Sequence, residues 1–257
     1  MSALPEIGTV HVWLAELGEF DGATATPADK ARAWRFMQDD DRRRFLAGRA
    51  LARSVVGSYL GCPPAEVSFA LTASGKPYLC RRGGPDLRFN LSHSGDLVAL
   101  AVSVDDEVGV DVEIAAPDNA DELVSIVLSA PELRAFDRLP SAQRPAAFLR
   151  CWTRKEALLK AAGSGLACDP RLLTVGWEET RMQVVAMPNH LAGFAVRDLT
   201  VPAGASASVA LAAPDMAIEI RRLPPANRRP RTMASPCRPP LASVRTTADA
   251  GPREMNP

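Results

Sequence analysis

Apolar and polar residues follow one another along this chain in two rhythms. Alternation with a period near two marks strands at residues 10–17, 67–71, 88–91, 98–104 and 108–114. Asp105-Asp106-Glu107 separates the last two, which predicts a hairpin. A helical period runs from about residue 27 to residue 60 with a polar break at residues 39–41, and places Phe45, Leu46, Ala50, Leu51, Val55 and Tyr59 on one face. Gly61 stops it, with Pro63 and Pro64 beyond. After Pro117 the helical period returns at residues 121–128. Ser129-x-x-Glu132 is a capping-box signature for a helix reaching about residue 139. The longest later helix covers residues 143–162 and ends at Gly163 and Gly165. Further strands are expected near 172–177, 182–186, 193–197 and 207–213.

Each half thus has a long helix, a glycine stop and a small set of strands. This predicts an α+β (α/β) fold of two similar lobes, residues 1–116 and 117–222, related in architecture but not by a residue-by-residue repeat. Residues 223–257 read differently. From Arg221 onward there are eight arginines, two acids and eight of the 22 prolines. Such a segment buries too little apolar surface to offset its ordering entropy, so a disordered tail is expected.

That tail changes the charge picture. The formal net charge is zero, yet the tail carries eight minus two, or +6, leaving −6 on residues 1–220. A mildly acidic body is a poor general binder of nucleic acid. With 47% hydrophobic and 23% charged residues the composition is that of a soluble globular protein. No apolar run approaches the roughly 20 residues of a membrane span, and no secretory leader is expected. The five cysteines form no C-x-x-C pair, so neither a zinc site nor a disulfide framework is suggested, and a cytoplasmic setting is expected. Only four lysines (Lys30, Lys76, Lys155, Lys160) stand against 26 arginines, and three of them fall in the segments below. A retained ammonium can mark a place that needs a compact point charge, although chance is a real competitor.

Asp111 and Glu113 share one face of the apolar strand at 108–114, because side chains alternate. Neighbouring carboxylates repel unless a cation lies between them, and hard oxygens suit magnesium. A solvated strand face is the competing reading. On the helix at 143–162, Trp152, Lys155, Glu156, Leu159 and Lys160 lie along one side, and Glu156 with Lys160 could equally be a surface ion pair. Phe89-Asn-Leu-Ser-His-Ser-Gly95 offers Ser92, His93 and Ser94 to a phosphate, or merely to a turn. Arg42, Arg43, Arg44, Arg49 and Arg53 crowd one helix, where most are expected to be solvated, and Lys76 sits in a tight turn. Walker, Gly-x-Gly-x-x-Gly and Gly-x-Ser-x-Gly signatures are absent.

Taken in order, Gly75-Lys76-Pro77, Phe89 to Ser94, Gly109-Val-Asp-Val-Glu113 and Trp152-Thr-Arg-Lys-Glu-Ala-Leu-Leu-Lys160 resemble the 4′-phosphopantetheinyl transferase superfamily, in its longer, single-chain, surfactin-synthetase-activating type. The resemblance covers about residues 30–215. It implies two pseudo-symmetric lobes with coenzyme A between them and a monomeric enzyme. It also implies the reaction. A serine of an apo acyl or peptidyl carrier protein takes the phosphopantetheine arm of coenzyme A, and adenosine 3′,5′-bisphosphate leaves. By position, Asp111, Glu113 and Glu156 match magnesium ligands, and Glu156 is also a candidate base. His93, beside Ser92, matches a pyrophosphate contact and Lys160 a phosphate-binding lysine. Lys76, and more loosely Arg44, match groups near the 3′-phosphate. The carrier surface is expected to be apolar and near residues 129–139.

Overall fold

The computed structural model describes residues 2–20, 24–80, 84–115, 120–164, 168–178, 181–182 and 188–222. The predicted tail, the lobe boundary near 116 and Gly165 lie outside the described residues. Residues to Ala226 cluster as one compact unit.

The strands are β1 (Thr9–Glu16), β2 (Phe69–Leu71), β3 (Pro77–Leu79), β4 (Leu87–Ser94), β5 (Leu97–Val104), β6 (Val108–Glu113), β7 (Arg181–Met182), β8 (Ala195–Asp198), β9 (Ser206–Leu211) and β10 (Ala217–Arg222). The α-helices are α1 (Pro27–Ala33), α2 (Asp39–Leu60), α3 (Ala120–Val127), α4 (Ala130–Phe136) and α5 (Arg144–Ala161). Local chemistry sets their ends. Thr26 and Asp29 form a capping box before α1, and Ser129 with Glu132 does so before α4. Gly61 closes α2 in the left-handed conformation, at φ 66°.

Two four-stranded sheets, ordered β10-β1-β5-β4 and β6-β9-β8-β7, carry the fold, with β2 and β3 as a separate pair. The strand period explains the layering. Val98, Leu100 and Val102 of β5 pack with Leu51, Val55 and Val56 of α2. The intervening Ala99 and Ala101 face Val108, Val110 and Val112 of β6 and Val209 and Leu211 of β9. On the far face of the second sheet, Val196 and Ala210 meet Phe148, Leu158 and Leu159 of α5. The order of layers is therefore helix, sheet, sheet, helix.

Several expectations change. The hairpin at 105–107 does not form: β5 pairs with β1 and β4, whereas β6 pairs with β9. β5 is apolar on both faces and β6 on the face of Val108, Val110 and Val112, so the two lie in different sheets and meet across the core. Asp105 turns the chain between them at φ 66°. Residues 172–177 are not a strand: a 3-10 turn covers Pro170–Leu172. β3 and β10 were not anticipated. β10 pairs in parallel with β1, so each sheet draws a strand from the other half of the sequence. Arg49 and Arg53 are buried rather than solvated. Arg53 donates to Asp29 at 2.6 Å, and both guanidinium groups lie over the Phe69 ring.

Candidate functional site

β4 and β6 belong to different sheets, yet side chains bind them together. Asn90, Ser92 and Ser94 alternate on β4 and so share a face. Asn90 Oδ1 accepts from the Val110 amide at 2.9 Å. The Ser92 hydroxyl donates to Asp111 Oδ1 at 2.7 Å, and Ser94 donates to Glu113 Oε2 at 2.6 Å. This ladder holds both carboxylates at the seam. The roles of Asn90 and Ser94 were missed in the sequence, although their period-two spacing opposite Phe89 and Leu91 was a usable signal.

α5 closes the seam from the other side. Gly109 of β6 lets it approach: a Cβ there would stand 2.0 Å from the Ala157 carbonyl oxygen and 2.4 Å from the Ala161 nitrogen. With the helix backbone seated this closely, Lys160 Nζ reaches Asp111 Oδ1 at 2.5 Å and Ser92 Oγ at 2.9 Å. Among the described residues Glu156 and Lys160 form no ion pair within 4.0 Å, so the surface-pair reading fails. Lys155 also departs from the predicted side. It is fully buried and turned to Glu132, away from Glu156 and Lys160.

The electrostatics reflect crowding. Burial raises the Glu156 carboxyl pKa; Lys160 pulls it back, while the charges of Asp111 and Glu113 push it further up. Burial likewise raises Glu113, with Asp111 adding to the shift and the Ser94 hydroxyl and Lys160 opposing it. Asp111 is 2% exposed, and its Oδ2 is buried with no hydrogen-bond partner. An unpartnered carboxylate oxygen in such a place is costly unless a cation or donor meets it. Among the described residues, no three acidic, His or Cys side chains already stand in a metal-holding arrangement.

His93 lies on the opposite face of β4 from Ser92 and is open to solvent. Its ring still feels burial first, then the cations of Lys160 and Arg44, and all three lower its pKa. Arg44 bonds Asp41 at 3.1 Å, and its Nε is buried without a partner. Arg43 and Arg44 line a cavity of about 370 Å³ with Leu17, Phe20 and Asp96. Lys76 is placed elsewhere. It bonds Glu107 at 2.6 Å and the Ala161 carbonyl at 3.1 Å, clasping the end of α5 to the turn before β6.

Residues 12–105 match the model of the 4′-phosphopantetheinyl transferase N-terminal region, and residues 107–197 match that of the 4′-phosphopantetheinyl transferase superfamily. The chain is 39% identical over 166 residues to the 4′-phosphopantetheinyl transferase HetI of Nostoc sp., covering 62% of this chain and 70% of that protein. The chain belongs to the 4′-phosphopantetheinyl transferase superfamily. A second relative, the 4′-phosphopantetheinyl transferase psf-1 of Bacillus pumilus, is 32% identical over 168 residues, with 65% and 70% covered. The 4′-phosphopantetheinyl transferase of Bacillus subtilis is 31% identical over 145 residues, with 56% and 63% covered. The Ser92–Asp111–Lys160 cluster spans the two matched regions. No helix among the described residues is long and apolar enough to cross a membrane.

Proposed function

We propose that this transferase moves the 4′-phosphopantetheine arm of coenzyme A onto a serine of an apo carrier protein, and that it needs magnesium. The observation that carries the reading is the convergence of Ser92, Asp111 and Lys160 at one point between β4, β6 and α5, with Glu113 and Glu156 electrostatically coupled to it.

Phosphoryl transfer asks an enzyme mainly for positioning and charge neutralisation. The carrier serine oxygen bonds to the β-phosphorus, the bond from that phosphorus to the bridging oxygen breaks, and adenosine 3′,5′-bisphosphate carries the electron pair away. The serine proton goes to Glu156, the carboxylate of α5 beside Asp111 and Glu113. Lys160 and His93 face the pyrophosphate, and Lys160 balances charge that develops there. Asp111, Glu113 and Glu156 would hold the magnesium ion, which when bound supplies a Lewis acid to phosphate oxygens. The orphaned Asp111 Oδ2 and the mutual crowding of the three carboxylates fit that donor set. Arg44 binds a phosphate oxygen, and Ser92 serves the same end by holding Asp111 and Lys160. Lys76 is assigned to the 3′-phosphate by its motif, and its ammonium holds Glu107 and the end of α5. We further propose a cytoplasmic monomer of two lobes that meet near residue 116 and exchange one strand each.

Incubation with an apo carrier, coenzyme A and magnesium should raise the carrier mass by one phosphopantetheine arm. Asp111→Ala and Glu156→Ala should abolish the gain without unfolding the protein. No gain across fatty-acid, polyketide, peptide and aminoadipate-reductase carriers would reject the reading.

A further inference from the structure

The two oxygens of Asp111 have opposite surroundings. Oδ2 is buried and unpartnered, whereas Oδ1 accepts from both Lys160 at 2.5 Å and Ser92 at 2.7 Å. The Lys160 ammonium completes a triangle by donating to Ser92 at 2.9 Å. The Lys160 side chain remains 26% exposed and rides on a flexible stem, so its head can swing toward solvent while its helix stays fixed. An ammonium in contact with a carboxylate neutralises much of the charge that a divalent cation would seek there, and two cations so close together repel.

We propose that Lys160 is the internal counter-ion of Asp111 and competes with the divalent cation for it. The cation then gains full access to Asp111 only when a pyrophosphate draws the ammonium away. The inference rests on the magnesium reading above and adds to it a built-in order: metal affinity is low in the free enzyme and rises with coenzyme A. Linkage makes the coupling reciprocal, so the metal must tighten coenzyme A by the same factor.

The test is Mn2+ binding, read by electron paramagnetic resonance of the free ion, with full-length protein alone and with coenzyme A. Mn2+ is the probe because it accepts the same oxygen donors. Lys160→Met should bind Mn2+ in the absence of coenzyme A about tenfold more tightly than wild type, the scale of one charge-assisted contact. Its further gain on adding coenzyme A should be smaller. Ser92→Ala leaves net charge unchanged but takes away one of the two acceptors that hold the ammonium. It should tighten Mn2+ by a lesser factor, whereas a general field effect leaves it unmoved. Circular dichroism checks that both variants fold.

Equal or weaker Mn2+ binding in Lys160→Met, with wild type still binding Mn2+ beside coenzyme A, overturns the counter-ion role and leaves the metal site standing. An unmoved Ser92→Ala overturns direct competition. If wild type with coenzyme A binds no Mn2+, or Asp111→Asn leaves binding unchanged, the metal reading itself fails.

Discussion

Lys155 and Glu132 hold each other at 2.6 Å where neither side chain has appreciable contact with solvent. The ammonium also donates to the carbonyls of Val127 and Pro170, and the carboxylate accepts from the amides of Ser129, Val175 and Gly176. One ion pair therefore ties α3, α4 and residues 168–178 to the turn of α5 that carries Glu156. Removing one member leaves a buried charge alone, so Lys155→Met should cost about 3–5 kcal/mol in urea denaturation. Adding Glu132→Gln to it should cost less than the sum of the single changes.

The same pair sets an acid limit. Burial alone would raise the Glu132 pKa, but Lys155 and the backbone amides more than offset it, and the folded value is lowered. A lowered carboxyl contributes stability that is present above its unfolded pKa and lost as pH falls through the folded one. Below about pH 4 the melting temperature should fall more steeply in wild type than in Glu132→Gln.

Glu113 and Glu156 act in the opposite sense. Their folded pKa values are raised, so the folded state binds more protons than the unfolded state between the two values, and stability declines as pH rises through that window. Glu113→Gln and Glu156→Gln should therefore melt higher than wild type at pH 7, by roughly 2–4 °C per kcal/mol relieved. Both should lose transfer activity. A melting temperature lowered in both variants would contradict the electrostatic account.

Gly109 tests how the helix is seated. In Gly109→Ala the new methyl meets backbone of α5, which cannot rotate aside as a side chain can. The helix must shift from β6, so the Lys160–Asp111 contact should open, with a stability loss of about 1–3 kcal/mol or more. Transfer should drop at least tenfold even in the folded fraction, measured by carrier mass gain per folded molecule.

His93 reports on its neighbours. Its imidazole should titrate below 6.5 by NMR, and in Lys160→Met the midpoint should move upward, since a neighbouring cation has been removed. A midpoint unmoved by that change would place Lys160 away from His93 in solution.

Much of this was legible in the sequence. The helix at 143–162 with its stop at Gly163 and the capping box at Ser129 follow from local spacing, because caps and periodicity depend on near neighbours. The break expected at 39–41 falls instead at residues 34–38, and Asp39–Asp41 form the first turn of α2. The pairing of Asp111 with Glu113 on one face follows from strand alternation alone. The burial of Arg49, Arg53 and Lys155 did not. Their partners Asp29, Phe69 and Glu132 are distant in sequence, so the arginines read as solvated and Lys155 as sharing the side of Glu156 and Lys160.

By itself the sequence determined that Asp111 and Glu113 share one face of their strand and where the helices at 143–162 and after Ser129 begin and end. Tertiary structure alone decided that the strands at 97–104 and 108–113 part into different sheets, because Ala99 and Ala101 bury Val108, Val110 and Val112 only when the two strands stack in different layers. It also decided that Lys160 answers Asp111 rather than Glu156. That choice depends on how closely α5 rests on Gly109, a distance no local pattern encodes.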